Sequence, residues 1–252
     1  MKPSSSIITC SLDKYDAALL ARHVYKDNTS PLPKDWKVCN NEVLKDFDLQ
    51  PEDLEDKSSG LVSNLYFRNN DRGGFDYVYA TAGTDIKNSK DWIANIAQLA
   101  GMADQYSKSK EIAKRIANHI VSDKSSLTFV GHSQGGGEAA LNAIETGHHA
   151  ITFNAAGVSI FSRKVKTPKD KLLDDLLIDA YYVKNDILSL IQDNGSIMMQ
   201  LILLKYKMLL GSLVNLPRAN GKRICIGKYH GSIFDAHKID SVIELFLKEQ
   251  SS

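Results

Sequence analysis

The apolar positions of this chain change period along its length. Between Asp13 and Tyr25, the residues Tyr15, Ala18, Leu19 and Val24 recur at helical spacing, which predicts an amphipathic helix. Leu61 to Phe67 and Phe75 to Ala80 are short apolar runs. The polar linker between them, Arg68 to Gly74, ends in Gly73-Gly74, so the pair predicts a β-hairpin. Helical spacing returns over Trp92 to Ala103 and over Lys108 to Val121, where Ile112, Ile116 and Ile120 recur every four residues. Leu127 to Val130 reads as a strand, followed by a helix from Glu138 through Ala139, Ala140, Leu141 and Ile144. Ala150 to Phe153, Ile178 to Val183 and Arg223 to Ile226 are further short strands, and Ile239 to Lys248 a closing helix. Strands alternating with helices predict an α/β fold, a mostly parallel central sheet with helices on both faces.

No internal repeat is visible, and no linker divides the chain. Residues 1–252 are therefore expected to form a single α/β domain with a helical N-terminal extension over 1–57. Within that extension Asn28 to Leu54 reads as a looser stretch carrying Pro31, Pro33 and Pro51. An apolar helical insertion is expected at about 197–214, where thirteen of eighteen residues are apolar. Its length is at the short end for a membrane span and Lys205 and Lys207 lie near its middle, so a buried or half-buried helix is expected instead. The functional reading of the same stretch is the wall of an acyl-binding cleft, or a surface that meets lipid.

At 252 residues with 43% hydrophobic content the chain can bury a substantial core. A net charge of +1 gives no global field toward nucleic acid. Cys10, Cys39 and Cys225 are odd in number and lack metal-ligand spacing, which argues against a disulfide framework or a zinc site and fits a reducing compartment of synthesis. Met1 to Cys10 has only a short apolar patch at Ile7-Ile8, so no secretory signal is expected there. The expectation is a protein cytoplasmic as synthesised, with secretion by a route that needs no such signal left open.

The chemistry concentrates at Phe129-Val130-Gly131-His132-Ser133-Gln134-Gly135-Gly136. A Gly-x-Ser-x-Gly turn between a predicted strand and a predicted helix is the pattern of a nucleophile elbow, which holds a serine hydroxyl out above a sheet. The two glycines matter because the strand and helix approach closely there. A serine needs a base to take its proton, and the base needs a third group to orient it. The chain order for such a site is Ser, then an acid after a later strand, then His. Asp186 follows the strand Asp179-Ala180-Tyr181-Tyr182-Val183 at the carboxyl end where α/β sheets place their sites. Asp193 is the second candidate, although Gln192-Asp193-Asn194-Gly195 has turn composition, and Asp174 and Asp175 read as solvated positions of a charged helix. For the base, His237 precedes the final helix and His230 lies seven residues earlier on the same loop, so both stay open. His132, next to the nucleophile, is expected to pack below it.

An oxyanion hole needs N–H donors aimed at the developing charge. One is expected from Gln134. The other is expected from the loop in Tyr77-Val78-Tyr79-Ala80-Thr81-Ala82-Gly83-Thr84-Asp85, with Thr84 supplying the N–H.

Several motifs then line up in order: Ala82-Gly83-Thr84, Asp91-Trp92-Ile93-Ala94-Asn95, Gly131 to Gly136, Phe153-Asn154-Ala155-Ala156-Gly157 and Asn185-Asp186-Ile187-Leu188. Together they resemble the class 3 lipase family over about Leu61 to Leu247. The resemblance implies an α/β-hydrolase fold, a triad of Ser133, Asp186 and His237, and oxyanion donors at Thr84 and Gln134. It departs from the family at Ala82, where Arg is frequent, and at Ala156, where Pro is frequent. It also implies a lid at about Asn88 to Asn95, with Trp92 and Ile93 as apolar contacts; Trp92 anchoring a helix in the core is an equal reading. Leu201 and Leu204 are candidate acyl contacts.

The resemblance implies hydrolysis of a lipid carboxylic ester; a phospholipase A1-like activity is expected in preference to a triglyceride lipase, with no metal or other cofactor and a transient contact with a membrane surface. An exported effector would imply a cognate inhibitor or immunity protein. Alternatives are a short-chain esterase, an acyltransferase on the same triad, and a catalytically silent fold that binds lipid or protein.

Overall fold

A computed structural model describes residues 12–25, 30–83, 103–120, 122, 124–158, 168–194 and 217–251. The chain runs through α1 (Lys14–His23), β1 (Lys37–Val38), α2 (Asn41–Lys45), α3 (Pro51–Leu54), β2 (Glu55–Asp56), β3 (Leu61–Asn69), β4 (Phe75–Thr81), α4 (Ala103–His119), β5 (Ser126–His132), α5 (Gln134–Thr146), β6 (His149–Phe153), α6 (Pro168–Leu177), β7 (Ile178–Tyr182), β8 (Lys222–Cys225) and α7 (Ile239–Gln250). A further helical stretch covers residues 187–194.

The strands form one mixed sheet in the order β1-β3-β4-β5-β6-β7-β8, with β2 added to β3. β3 runs antiparallel to β1, β2 and β4, whereas β4 through β8 are parallel. β5 lies at the centre and is buried at every position, as a parallel strand covered on both faces must be. Alternate strand residues feed two cores. Leu65, Tyr79, Leu127 and Phe129 meet Ile112 and Ile116 of α4 and Ala139, Ala140 and Ala143 of α5. Tyr66, Val78, Ala80, Val130, Ile151 and Phe153 meet α1 and α7 on the opposite face. The expectation of a mostly parallel sheet with helices on both faces therefore matches the observed architecture.

Details of the elements differ from the sequence reading. Asp13 caps α1 by accepting the Tyr15 N–H at 2.8 Å, but the face of α1 that packs inward is Ala17, Ala18, Leu20 and Ala21. Leu19, expected on the core side, is only half-buried, whereas Ala18 and Val24, expected with it, are buried. The stretch Asn28 to Leu54 was expected to be loose, yet its described part contains β1, α2 and α3. Pro51 opens α3, where its missing N–H costs nothing, and the Cys39 N–H donates to the Leu65 carbonyl at 2.8 Å. Most of the helix predicted over Trp92 to Ala103, and all of the insertion at 197–214, lie outside the described residues. Among the described residues no helix is long and apolar enough to cross a membrane.

α7 matters for the site because it follows directly on His237. Phe246 of α7 is buried and packs edge-on against Phe153 and Tyr181, with ring centroids 6.1 and 5.6 Å apart. Burying one such ring contributes about 1.5–3 kcal/mol. α1 closes over α7 through the ion pairs Arg22–Asp240 at 2.8 Å and Lys14–Glu249 at 2.6 Å. These exposed pairs set orientation more than stability.

Candidate active site

β5 ends at His132 and α5 begins at Gln134, so Ser133 alone makes the turn between them. Its backbone sits at φ 57° and ψ −124°, a conformation rare for any residue with a side chain and costing about 1–3 kcal/mol. The surrounding structure holds it there. The Ser133 N–H donates to the Phe153 carbonyl at 3.0 Å, and the Ser133 carbonyl accepts from the Ala156 N–H at 2.9 Å. The flanking glycines are required by close approach. A Cβ on Gly131 would lie 2.2 Å from the Gly135 carbonyl oxygen, and one on Gly135 would lie 2.1 Å from that of Thr81. The Thr81 hydroxyl completes the clamp by donating to the Gly135 carbonyl at 2.7 Å.

Asp186 follows β7 and opens the helical stretch 187–194. Its carboxylate caps that helix, accepting the Ser189 N–H at 2.8 Å and the Leu188 N–H at 3.3 Å. The cap fixes the carboxylate with Oδ1 2.5 Å from His237 Nδ1. His237 Nε2 lies 2.9 Å from Ser133 Oγ. Asp186 is fully buried and His237 is 5% exposed, so the contact between them is shielded from water, whereas Ser133 is half-buried and its contact with His237 is partly open. A carboxylate at Nδ1 assigns the ring proton there and leaves Nε2 to accept from the serine hydroxyl. His237 is presented by a tight turn, in which its N–H donates to the Phe234 carbonyl at 3.2 Å. His230 is exposed on the same loop and takes no part in these contacts.

Asn154, which the sequence reading quoted within a motif but gave no role, ties the site together. It is fully buried. Its Nδ2 donates to the carbonyls of Ala236 at 3.1 Å and His237 at 3.0 Å, and its Oδ1 accepts the Val183 N–H at 2.9 Å. One side chain thus joins the ends of β6 and β7 to the loop of the base. Its position one residue past the end of a strand was the available signal.

Gln134 opens α5, where helix geometry leaves N–H groups without intrahelical acceptors and aims them at the turn. Its side chain donates to Gln105 Oε1 at 2.8 Å and to Glu138 Oε1 at 3.3 Å. Glu138 is fully buried, and its Oε2 has no hydrogen-bond partner among the described residues. Burial pushes its carboxyl well above the usual range, only partly opposed by the bond from Gln134, which favours the protonated form in the fold. An unfolded glutamate loses its proton above about pH 4.3. Folding must then take up a proton, and this site loses stability with rising pH until the folded-state value is passed, at about 1.4 kcal/mol per pH unit. Glu138→Gln removes that dependence. The melting temperature of the variant relative to the parent is expected to rise between pH 5 and pH 8; an equal difference at both pH values would contradict a protonated Glu138.

Other residues singled out in the sequence fall elsewhere. Thr84, Trp92, Ile93, Leu201 and Leu204 lie outside the described residues. Gly83 is described, and its backbone runs beside the nucleophile: a Cβ there would come within 3.1 Å of the Ser133 Cβ. Asp193 is not in a free turn but on the helical stretch 187–194, paired with Arg223 at 2.5 Å and Arg218 at 3.1 Å. Asp174, read as solvated, is 2% exposed and accepts from Asn220 Nδ2 at 3.1 Å, a partner forty-six residues away. Among the described residues no His, Cys, Asp and Glu cluster is arranged to hold a metal ion.

Two comparisons bear on this arrangement. A phospholipase-like family model, described as a Tle-like phospholipase domain, matches residues 16–223. The chain is also 38% identical over 173 residues to an extracellular phospholipase A1 of Serratia liquefaciens, an alignment covering 68% of this chain and 48% of that relative. The chain thus spans about half the length of the curated relative it matches.

Proposed function

Starting from the fact that the chain belongs to the Tle-like phospholipase family, we propose that it is a serine acyl hydrolase of α/β-hydrolase fold that cleaves carboxylic esters of glycerophospholipids. The observation that carries this reading is the continuous run from Ser133 Oγ to His237 Nε2 at 2.9 Å and from His237 Nδ1 to Asp186 at 2.5 Å. The ordered motifs that resemble class 3 lipases support the same reading, as does the identity to a protein named as a phospholipase A1.

In this mechanism Ser133 Oγ attacks the ester carbonyl while His237 Nε2 takes its proton. Asp186 holds the imidazole by its Nδ1–H and stabilises the charge it acquires. The carbonyl oxygen becomes negative and is held by the Gln134 N–H at the start of α5 and, by the family resemblance, the Thr84 N–H. His237 returns the proton to the leaving alkoxide, releasing a lysophospholipid and leaving the acyl group on Ser133. Water, deprotonated by His237, then releases the fatty acid and restores the serine.

The test is incubation with vesicles of defined phosphatidylcholine, phosphatidylethanolamine and phosphatidylglycerol, and separately with triglyceride emulsions, with products identified by mass spectrometry. Free fatty acid and lysophospholipid in equal amounts are expected, with the acyl group lost from the sn-1 position. Transfer of the acyl group to an added alcohol in preference to water would make the protein an acyltransferase, and release from triglyceride alone would make it a lipase of neutral glycerides.

A further inference from the structure

His132 precedes the nucleophile, and the mechanism above gives it no role, yet its two ring nitrogens are both engaged. Nε2 lies 2.6 Å from the main-chain carbonyl oxygen of His237, and Nδ1 lies 2.8 Å from the Tyr25 hydroxyl. The Gly83 N–H donates to the same hydroxyl at 3.0 Å.

The proton assignments along this chain follow one another. A carbonyl oxygen can only accept, so Nε2 of His132 carries the proton. The ring is 6% exposed and burial, reinforced by the neighbouring His237, lowers its pKa to about 3. It is therefore neutral, and Nδ1 is an acceptor. The Tyr25 hydroxyl must spend its single proton on Nδ1, which leaves its oxygen to accept from Gly83. The sequence of bonds is thus Gly83 N–H to Tyr25, Tyr25 O–H to His132, and His132 N–H to the His237 carbonyl. It begins on the loop beside the nucleophile, where a Cβ on Gly83 would come within 2.9 Å of the Tyr25 hydroxyl and 3.1 Å of the Ser133 Cβ. It ends on the main chain of the base. Tyr25 itself follows α1, which packs on β5 and α7.

We propose that Tyr25 and His132 are positioning residues that tie the Gly83 main chain and His237 together around Ser133, so that the base keeps its register with the serine. This rests on the hydrolase reading above. Asn154 shares the His237 carbonyl from the other side, so cutting the Tyr25–His132 bond loosens the base without freeing it. Because small misplacements of reacting groups cost rate more than binding, the loss should fall on kcat.

The experiment uses the full chain and a soluble short-chain p-nitrophenyl ester. Tyr25→Phe keeps the ring and removes the hydroxyl; kcat is expected to fall about tenfold with KM within twofold and the melting temperature within a few degrees. Labelling of Ser133 by a fluorophosphonate should slow in parallel. In the double variant Tyr25→Phe with His132→Ala, kcat should be no lower than in His132→Ala alone, because the same connection is already cut. Multiplicative losses, or Tyr25→Phe retaining kcat within twofold, would overturn the proposal; if His132→Ala does not fold, the Tyr25→Phe result decides. A parent protein that neither turns over esters nor reacts with the fluorophosphonate at Ser133 would instead remove the hydrolase reading itself.

Discussion

Ser133→Ala is expected to lower phospholipid hydrolysis by at least about 10⁴-fold while leaving KM and the melting temperature nearly unchanged. The loss is large because the variant removes the atom that bonds to substrate, and no other group replaces it. The fold should survive. Alanine keeps the Cβ, so the strain at φ 57° is the same in both proteins. The contacts that hold the turn also come from main-chain atoms, the Ser133 N–H to Phe153 and the Ser133 carbonyl to Ala156. A residual acceleration above water is expected from the Gln134 N–H and from substrate binding. Fluorophosphonate labelling should vanish with turnover. Release of lysophospholipid by the variant at more than about one hundredth of the parent rate would place the nucleophile elsewhere.

Asp186→Asn should cost nearly as much, about 10³–10⁴-fold in kcat. The carboxylate makes three contacts: His237 Nδ1, the Ser189 N–H and the Leu188 N–H. An amide has one acceptor where these contacts need two. If its oxygen turns to the helix cap, its NH₂ faces His237 Nδ1 and donates to it. The imidazole proton then moves to Nε2, and the ring can no longer take a proton from Ser133. If its oxygen turns to His237, it keeps the Leu188 N–H, but the NH₂ faces the Ser189 N–H and the shorter cap bond is lost, at about 1 kcal/mol. The first orientation keeps stability and loses rate, which kcat and thermal melting measured together will separate. His230→Ala is the matched control, since that histidine is exposed on the same loop; it should leave kcat unchanged. Comparable losses in Asp186→Asn and His230→Ala would refute the role given to His237.

The elements that could be read from sequence were those whose pattern is local. Gly131, Ser133 and Gly135 stand out between strand and helix because the turn itself excludes a Cβ at both glycines. Asp186 could be found because it follows a short apolar strand at the end where parallel sheets gather their polar groups. The hairpin β3–β4 was legible from two apolar runs joined by a polar linker ending in Gly73-Gly74, and most of α4 from the four-residue recurrence of Ile112, Ile116 and Ile120, although α4 begins at Ala103 rather than Lys108. Two readings failed for a shared reason. Asp174 and Asp193 have charged or turn-like neighbours in sequence, but Asn220 and the pair Arg218 and Arg223 reach them from other elements. On α1 the expected Ala18 and Val24 are buried, but Leu19 is only half-buried, and Ala17, Leu20 and Ala21 complete the inward face.

The sequence by itself determined the class of fold, the place of the serine, and the order in which an acid and a histidine follow it. These depend on residues within a few positions of one another, whose spacing sets helix or strand and whose glycines set the turn. The tertiary structure alone decided that His237 rather than His230 meets Asp186 and Ser133, and that Asn154, Tyr25 and His132 bind the loops around them. A hydrogen bond forms only when donor and acceptor come within about 3 Å, and here they lie up to 107 residues apart in the chain. Only the packing of α1 and α7 on one face of the sheet brings those distances together.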